Sequence, residues 1–303
     1  MKNSLAPPLN VGFIGLGNMG TPMAGHLVAA GYRLHVMDAA AAAVRRFAEK
    51  HACETPRSQA ELAAACPVVI TMLPNGDIVR EVLTGEDGVA AGLEPGAIVI
   101  DMSSSSPLGT RRLAEELQTR GITLVDAPVS GGVVKAKQGA LSIMAGGDEE
   151  PVTRCALLFG AMGKVFHTGA SGTGHAMKSL NNFLSAGTLA LTAEAVLAGE
   201  RFGLEPARMV DIINSSTGRS NSSEHKYPTF VLNRRFDSGF ALGLMSKDLR
   251  LALELARAGG SASELIQDVA ELWSRAEAQL GAAADNTEIV RYLEAISGVT
   301  TDD

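Results

Sequence analysis

Lys178 and Asn182 stand four residues apart in the stretch GASGTGHAMKSLNN, residues 169–182, which opens on glycines 169, 172 and 174. At helical spacing an ammonium and an amide four apart share one face, with Asn181 nearby at three residues' distance. A lysine partly desolvated among polar amides can deliver or accept a proton, and Asn182 can orient the same hydroxyl. The glycines let the chain bring the helix start close to a ligand. A lone lysine is ordinarily a solvated side chain, so its company decides between the two readings.

Two further segments supply that company. In VGFIGLGNMGTPMAGHL, residues 11–27, Gly15, Gly17 and Gly20 give G-x-G-x-x-G directly after a four-residue apolar strand and at the start of an amphipathic helix. Such glycines permit a tight turn, close backbone approach to a pyrophosphate and close helix-to-strand packing, with the helix N-terminus facing the anion. The bare pattern also fits a simple strand-to-helix turn. Here Asp38 ends the second apolar run about 20 residues on, as a dinucleotide fingerprint requires. A carboxylate there accepts hydrogen bonds from both ribose hydroxyls and repels a 2′-phosphate, which favours NAD over NADP. The same Asp could instead cap the helix that begins near Ala39. In DAPVSGGVVKAKQGALSIMAGG, residues 126–147, Ser130, Gly131 and Gly132 follow a strand. A hydroxyl and successive unencumbered N–H groups can form a nest for a carboxylate, although Ser-Gly-Gly alone also suits a flexible loop. Ser103 and Ser104 follow the strand ending at Asp101 and occupy a comparable place at the carboxyl end of a strand.

Regular elements must hold these groups. Short apolar runs at 11–14, 34–37, 68–73, 97–102, 122–127 and 141–146 read as strands, separated by helical patterns at 19–30, 40–50, 58–65, 77–84 and 107–120. Continuous apolar strands between helices indicate a mainly parallel sheet buried on both faces. From Gly174 onward the pattern becomes helical, with the longest candidate at 174–202. The expectation is an α/β Rossmann-type domain over 1–170 and an all-α domain over 171–303, joined by that long helix.

The chain has 303 residues, 46% of them hydrophobic, and a formal charge of −7. Without a Lys/Arg cluster it lacks the concentrated positive charge of a nucleic-acid surface. Cys53, Cys66 and Cys155 are odd in number and show neither disulfide nor zinc spacing, so no metal is expected and a reducing cytoplasm fits. No apolar run approaches the roughly 18 residues of a membrane span, and the first ten residues read as a loose leader.

Five motifs in order resemble the β-hydroxyacid dehydrogenase family: GFIGLGNMG at 12–20, DMSSSSP at 101–107, DAPVSGG at 126–132, GTGHAMKSLNN at 172–182 and LMSKDL at 244–249. The resemblance spans nearly the whole chain. It implies hydride transfer between NAD(H) and the carbon bearing the β-hydroxyl of a small carboxylate-bearing substrate, or its semialdehyde. By that resemblance Lys178 is the general acid/base, Asn182 holds the substrate, and Ser130, Gly131 and Gly132 receive its carboxylate. Asn18 and Met19 join the glycines at the pyrophosphate, Leu73 and Pro74 complete the cofactor set, Ser104 lies near the nicotinamide, Lys247 closes over the cofactor and Asp248 supports the site. Homodimers or homotetramers through the helical domain are implied as well. The segment SSTGRSNSSEHKYP, 215–228, resembles the family's substrate-closing segment, or else is a polar interhelical loop. Asn221 stands there where 3-hydroxyisobutyrate enzymes often have Trp, which favours a more polar or longer substrate. The related 6-phosphogluconate dehydrogenases have longer chains and usually a His at the place of Asn181; imine reductases share the fold but generally lack the lysine. An NAD-sensing regulator is the alternative of another class, and it leaves Lys178, Asn182 and Ser-Gly-Gly without a role.

Overall fold

A computed structural model describes residues 4–298, and the chain divides into two compact units after Lys178. The first unit is built on a nine-stranded sheet. Its strands are β1 (Asn10–Ile14), β2 (Arg33–Met37), β3 (Cys53–Glu54), β4 (Val68–Thr71), β5 (Ile98–Asp101), β6 (Thr123–Asp126), β7 (Val129–Ser130), β8 (Leu141–Gly146) and β9 (Gly163–Gly169). The order is β3-β2-β1-β4-β5-β6-β8-β7, with β9 also on β8. Pairing is parallel from β3 to β6 and between β8 and β9; β8 runs antiparallel to β6 and β7.

Successive side chains of a strand point to opposite faces, so a strand covered on both sides must be apolar throughout. The central strands show this directly. Phe13, Ile70, Ile100 and Val125 enter one core with Met23, Leu27 and Phe159, while their neighbours Ile14, Val69, Val99 and Leu124 enter a second core with Leu62, Leu83 and Leu117. The flanking helices start where the sequence places polar caps: Ser58, Asn75 and Ser106 each accept the N–H of the residue three further on.

Three of the expected strands, those read at 68–73, 97–102 and 122–127, end one or two residues sooner than their apolar runs, because residues such as Met72 and Met102 already belong to the turns beyond the sheet. Three strands escape the apolar pattern. Two have only two residues each, and β9 mixes half-buried and exposed positions, with none fully buried, because it lies at an edge. The loose-leader reading is corrected from Leu5 onward. The Leu5 N–H donates to the Arg154 carbonyl, its own carbonyl accepts from the Tyr32 hydroxyl at 2.9 Å, and Leu5 and Leu9 pack against the first core. Residues 1–3 of that leader lie outside the described residues.

The long helix is Thr173–Phe202. The described part of the second unit is helical apart from an isolated bridge between Ala241 and Asp285. Its core gathers Leu189, Tyr227, Leu242, Leu249 and the fully buried Trp273. Within 215–228 the polar-loop reading holds only to Asn221, since Ser222–Val231 winds into a π-helix containing Pro228. The wider turn accommodates a proline, whose missing N–H and ring would break an α-helix.

The glycine turn offers a matched test of packing. A side chain on Gly20 would run into the Gly15 carbonyl, whereas nothing lies within 4 Å of one on Gly17. Gly20→Ala is expected to cost roughly 1–3 kcal/mol, the usual scale of overpacking, and Gly17→Ala almost nothing. Urea denaturation of the two variants checks this.

Candidate active site

The glycine turn lies at the carboxyl end of β1. Gly15 has φ +106° and sits against the Met72 carbonyl, which leaves no room for a side chain. Asp38, just past β2, braces the turn: one carboxylate oxygen accepts the Leu16 N–H at 2.7 Å, the other the Ala40 N–H at 2.7 Å. The Ala40 bond falls just ahead of the helix Ala41–Ala48, whose N-cap position is Ala40, so Asp38 orders the approach to that helix without capping it. Gly17 and Asn18 are exposed, Met19 is half-buried and Gly20 is buried under the turn. Beyond β4, Leu73 is half-buried and donates its N–H to the Ser103 hydroxyl, while Pro74 is exposed.

Three adjacent parallel strands end on buried polar residues, with Thr71 level with Asp101 and Asp101 level with Asp126. Burying a carboxylate is costly unless donors surround it. Asp101 accepts from the Thr71 hydroxyl, the Ser103 N–H and the Ser105 hydroxyl at 2.8–3.0 Å. Asp126 accepts the backbone N–H of Gly172 at 2.7 Å and of His175 at 2.9 Å. It thereby caps the helix Thr173–Phe202, whose first N–H groups have no partner within the helix. Burial pushes the Asp126 carboxyl up from its ordinary range, while nearby His175 and the donated backbone N–H groups pull it back down. Gly174 makes the approach possible, because a side chain there would meet the Asp126 carbonyl at 2.7 Å and the Met144 carbonyl closer still.

His175 is fully buried in the same cluster. Its Nε2 lies 3.0 Å from the Ser103 carbonyl and its Nδ1 2.8 Å from the Thr110 hydroxyl. Lys178 follows three residues later on the same helix. Ser104 is half-buried between buried Ser103 and Ser105. Ser130 ends β7 opposite Ser142, and Gly131 and Gly132 are exposed at the start of the short helix Gly132–Gln138.

In the second unit the long helix presents Asn182, whose amide donates to Asp248 at 2.6 Å. The other Asp248 oxygen pairs with the Lys247 ammonium at 3.1 Å. The expected residues Asn182, Lys247 and Asp248 thus form one contact group. Asn221 is exposed at the foot of the π-helix, which Lys226 holds to the long helix by donating to the Ser185 hydroxyl at 3.0 Å.

Asp101, Asp126 and His175 are the positioning groups that motif reading passed over. Their signal was present: an acid ending an apolar strand, twice, has to find buried donors. The cysteines carry no comparable chemistry, for burial pushes the Cys66 and Cys155 thiols up to about 12. Among the described residues no group of three or more His, Cys, Asp or Glu could hold a metal ion.

Residues 10–170 match the family described as the NAD binding domain of 6-phosphogluconate dehydrogenase, and residues 172–293 that described as NAD-binding of NADP-dependent 3-hydroxyisobutyrate dehydrogenase. Together with the glycine turn on a parallel sheet, these matches define an oxidoreductase that uses a nicotinamide dinucleotide. The chain is 36% identical to the 2-(hydroxymethyl)glutarate dehydrogenase of Eubacterium barkeri, over 96% of its own length and 97% of the other. It is also 36% identical to the 3-sulfolactaldehyde reductase of Escherichia coli, with the same two coverages. The solved structure of Mycobacterium tuberculosis 3-hydroxyisobutyrate dehydrogenase with L-serine superposes with a TM-score of 0.87 at 35% identity, covering 94% of this chain and 99% of that one. The chain belongs to the β-hydroxyacid dehydrogenase family.

Replacing Asp126 by Asn turns one acceptor of the helix cap into an NH2 group that faces a backbone N–H. Losing a cap and stranding a buried donor together predict a loss of about 2–4 kcal/mol. Thermal and urea unfolding of Asp126→Asn measures it, and an unchanged stability would remove the cap from the account.

Proposed function

We propose that the protein is an NAD-dependent dehydrogenase of small β-hydroxy acids, or the reductase of the matching semialdehydes, with Lys178 as general acid/base. The observation that carries the proposal is the placing of Lys178. It stands one turn beyond a helix start that Asp126 caps from the carboxyl end of the sheet, the end at which open α/β sheets bind ligands.

The residues present fit a dinucleotide. The space over Gly17 lets a pyrophosphate approach the turn formed by Gly15, Gly17, Asn18, Met19 and Gly20, in which the Gly15 N–H is itself taken by the Met37 carbonyl, and Asp38 stands at the strand end for the ribose. Leu73, Pro74, Ser104 and Lys247 complete the proposed cofactor contacts. The bound nicotinamide supplies the redox chemistry by taking or returning a hydride. In oxidation the neutral Lys178 amine takes the proton of the β-hydroxyl; in reduction the ammonium returns it to the oxygen. Asn182, its amide fixed by Asp248, orients that hydroxyl. The Ser130 hydroxyl and the Gly131 and Gly132 N–H groups receive the carboxylate. Holding the reactants aligned removes on the order of 7–11 kcal/mol of barrier in favourable cases.

The substrate class follows from the nest and from Asn221. The named substrates of relatives include 2-(hydroxymethyl)glutarate, with a second carboxylate, and 3-sulfolactaldehyde, with a sulfonate. Both suit the reading that Asn221 favours a more polar or longer acid. The preference for NAD rests on the Asp38 charge and on Ala39 to Ala43, five alanines that offer no cation to a 2′-phosphate. A homodimer or homotetramer is supported by Leu180, Leu184 and Leu191, exposed leucines on one face of the long helix. A cytoplasmic location is supported by the free thiols of Cys53, Cys66 and Cys155, which suit a reducing compartment.

Lys178→Ala is expected to lower kcat by roughly 100-fold or more, the scale of a lost general acid/base, with little change in NADH binding. Steady-state rates with 3-hydroxypropionate, 3-hydroxyisobutyrate, glycerate, serine and 2-(hydroxymethyl)glutarate, beside neutral alcohols of equal length, test the chemistry and the carboxylate requirement together. Near-normal kcat in the variant, or equal turnover of the neutral alcohols, would defeat the corresponding assignment. For the cofactor, wild-type kcat/KM should favour NAD, and Asp38→Asn with Ala39→Arg should narrow or reverse that preference. A wild-type preference for NADP would overturn the Asp38 reading.

A further inference from the structure

His175 takes no part in the proposed proton transfer, yet it is the buried side chain that joins the turn bearing Ser104 to the helix bearing Lys178. The Ser103 carbonyl can only accept, so the ring nitrogen 3.0 Å away, Nε2, carries the proton and donates it. That carbonyl belongs to the peptide linking Ser103 to Ser104. Ser103 is held from two other sides, by its N–H on Asp101 and by its hydroxyl under the Leu73 N–H. On the other side of the ring, Nδ1 faces Thr110 of the helix Pro107–Gln118, and the His175 backbone N–H is one of the two groups capped by Asp126.

We propose that His175 is a positioning residue: through its Nε2–H bond to the Ser103 carbonyl it fixes the Ser103–Ser104 peptide relative to the first turn of the lysine helix, and so sets where Lys178 stands. The proposal rests on the reading of Lys178 as the general acid/base. Proton transfer needs heavy atoms within about 2.6–3.2 Å, and a misplacement of about 1 Å costs on the order of 100-fold in rate. Lys178 is less than one helical turn from His175, so a shift at the ring passes to it directly. Of the proposed ligand contacts, Ser104 lies on that peptide while the glycine turn, Asp38 and the Ser130 nest lie on separate turns, so kcat falls much further than binding.

The two ring nitrogens can be separated by substitution. Gln places its amide nitrogen near the position of Nε2 and can restore the bond to Ser103; Asn places its amide near Nδ1 and restores at most the contact with Thr110. His175→Gln is expected to keep kcat within about 3-fold of wild type, while His175→Asn and His175→Ala lose about 10- to 100-fold. In all three the KM for the acid and the NADH dissociation constant should stay within about 3-fold, with assays run well below each variant's melting temperature. Wild-type kcat in His175→Ala, or losses in the Gln and Asn variants that simply follow their losses of stability, would overturn the proposal.

A second readout needs no activity. In ligand-free wild type labelled with 15N-histidine, the His175 ring should show a slowly exchanging proton on Nε2. A ring protonated on Nδ1 alone, or exchanging as fast as an exposed imidazole, sinks the role of His175 even if Lys178→Ala is inactive. Full turnover in Lys178→Ala with a protected Nε2 proton instead sinks the reading of Lys178, and the positioning role falls with it.

Discussion

Everything around the lysine depends on one carboxylate held in a low-dielectric place. Asp126 lies at the end of a fully covered strand, where an ionised group survives only if donors come to it. The donors that come are the backbone N–H groups at the start of the long helix. The helix, for its part, needs an acceptor at its N-terminus. Each requirement satisfies the other, and the match ties the first turn of the helix to the end of β6 through the Gly172 and His175 N–H groups. Gly174 follows from the same requirement, since any larger residue would push the helix start off the Asp126 and Met144 carbonyls.

Asp101 performs the corresponding task one strand away. Its oxygens collect Thr71, Ser103 and Ser105, so the serine-rich turn after β5 is ordered by hydrogen bonds rather than by apolar contact. In the second unit Asp248 holds Asn182 and Lys247. Each of these carboxylates ends or lines an element and organises polar neighbours that its own backbone could not reach.

Much of this was legible beforehand. Apolar runs gave six of the strands within two residues, and the helical patterns between them gave five helices of the first unit and the long helix, because burial leaves local marks, while Gly132–Gln138, Glu149–Arg154 and Ala156–Met162 were not read. The glycine turn and Asp38 were legible because their spacing is set by covalent geometry. β3 and β7 were not, being too short to show a period, nor was β9, whose edge position leaves it half polar. The wide helical turns over 222–231 left no mark that separates them from a loop. The partners of Asp126 and His175 were hidden for a different reason: they lie 46 to 72 residues away along the chain, and no local pattern encodes a pairing over that distance.

The central strands, which send alternate residues into two separate cores, have a consequence for how such a chain can change over time. A substitution in Val68–Thr71 or Ile98–Asp101 disturbs one core and leaves the other to hold the sheet. Insertion or deletion of a single residue would turn every later side chain of the strand to the opposite face, exchanging the contents of both cores at once and turning the terminal Thr71 or Asp101 away from its donors. Length variation among descendants of this chain is therefore confined to the turns, and the strands drift only by replacement.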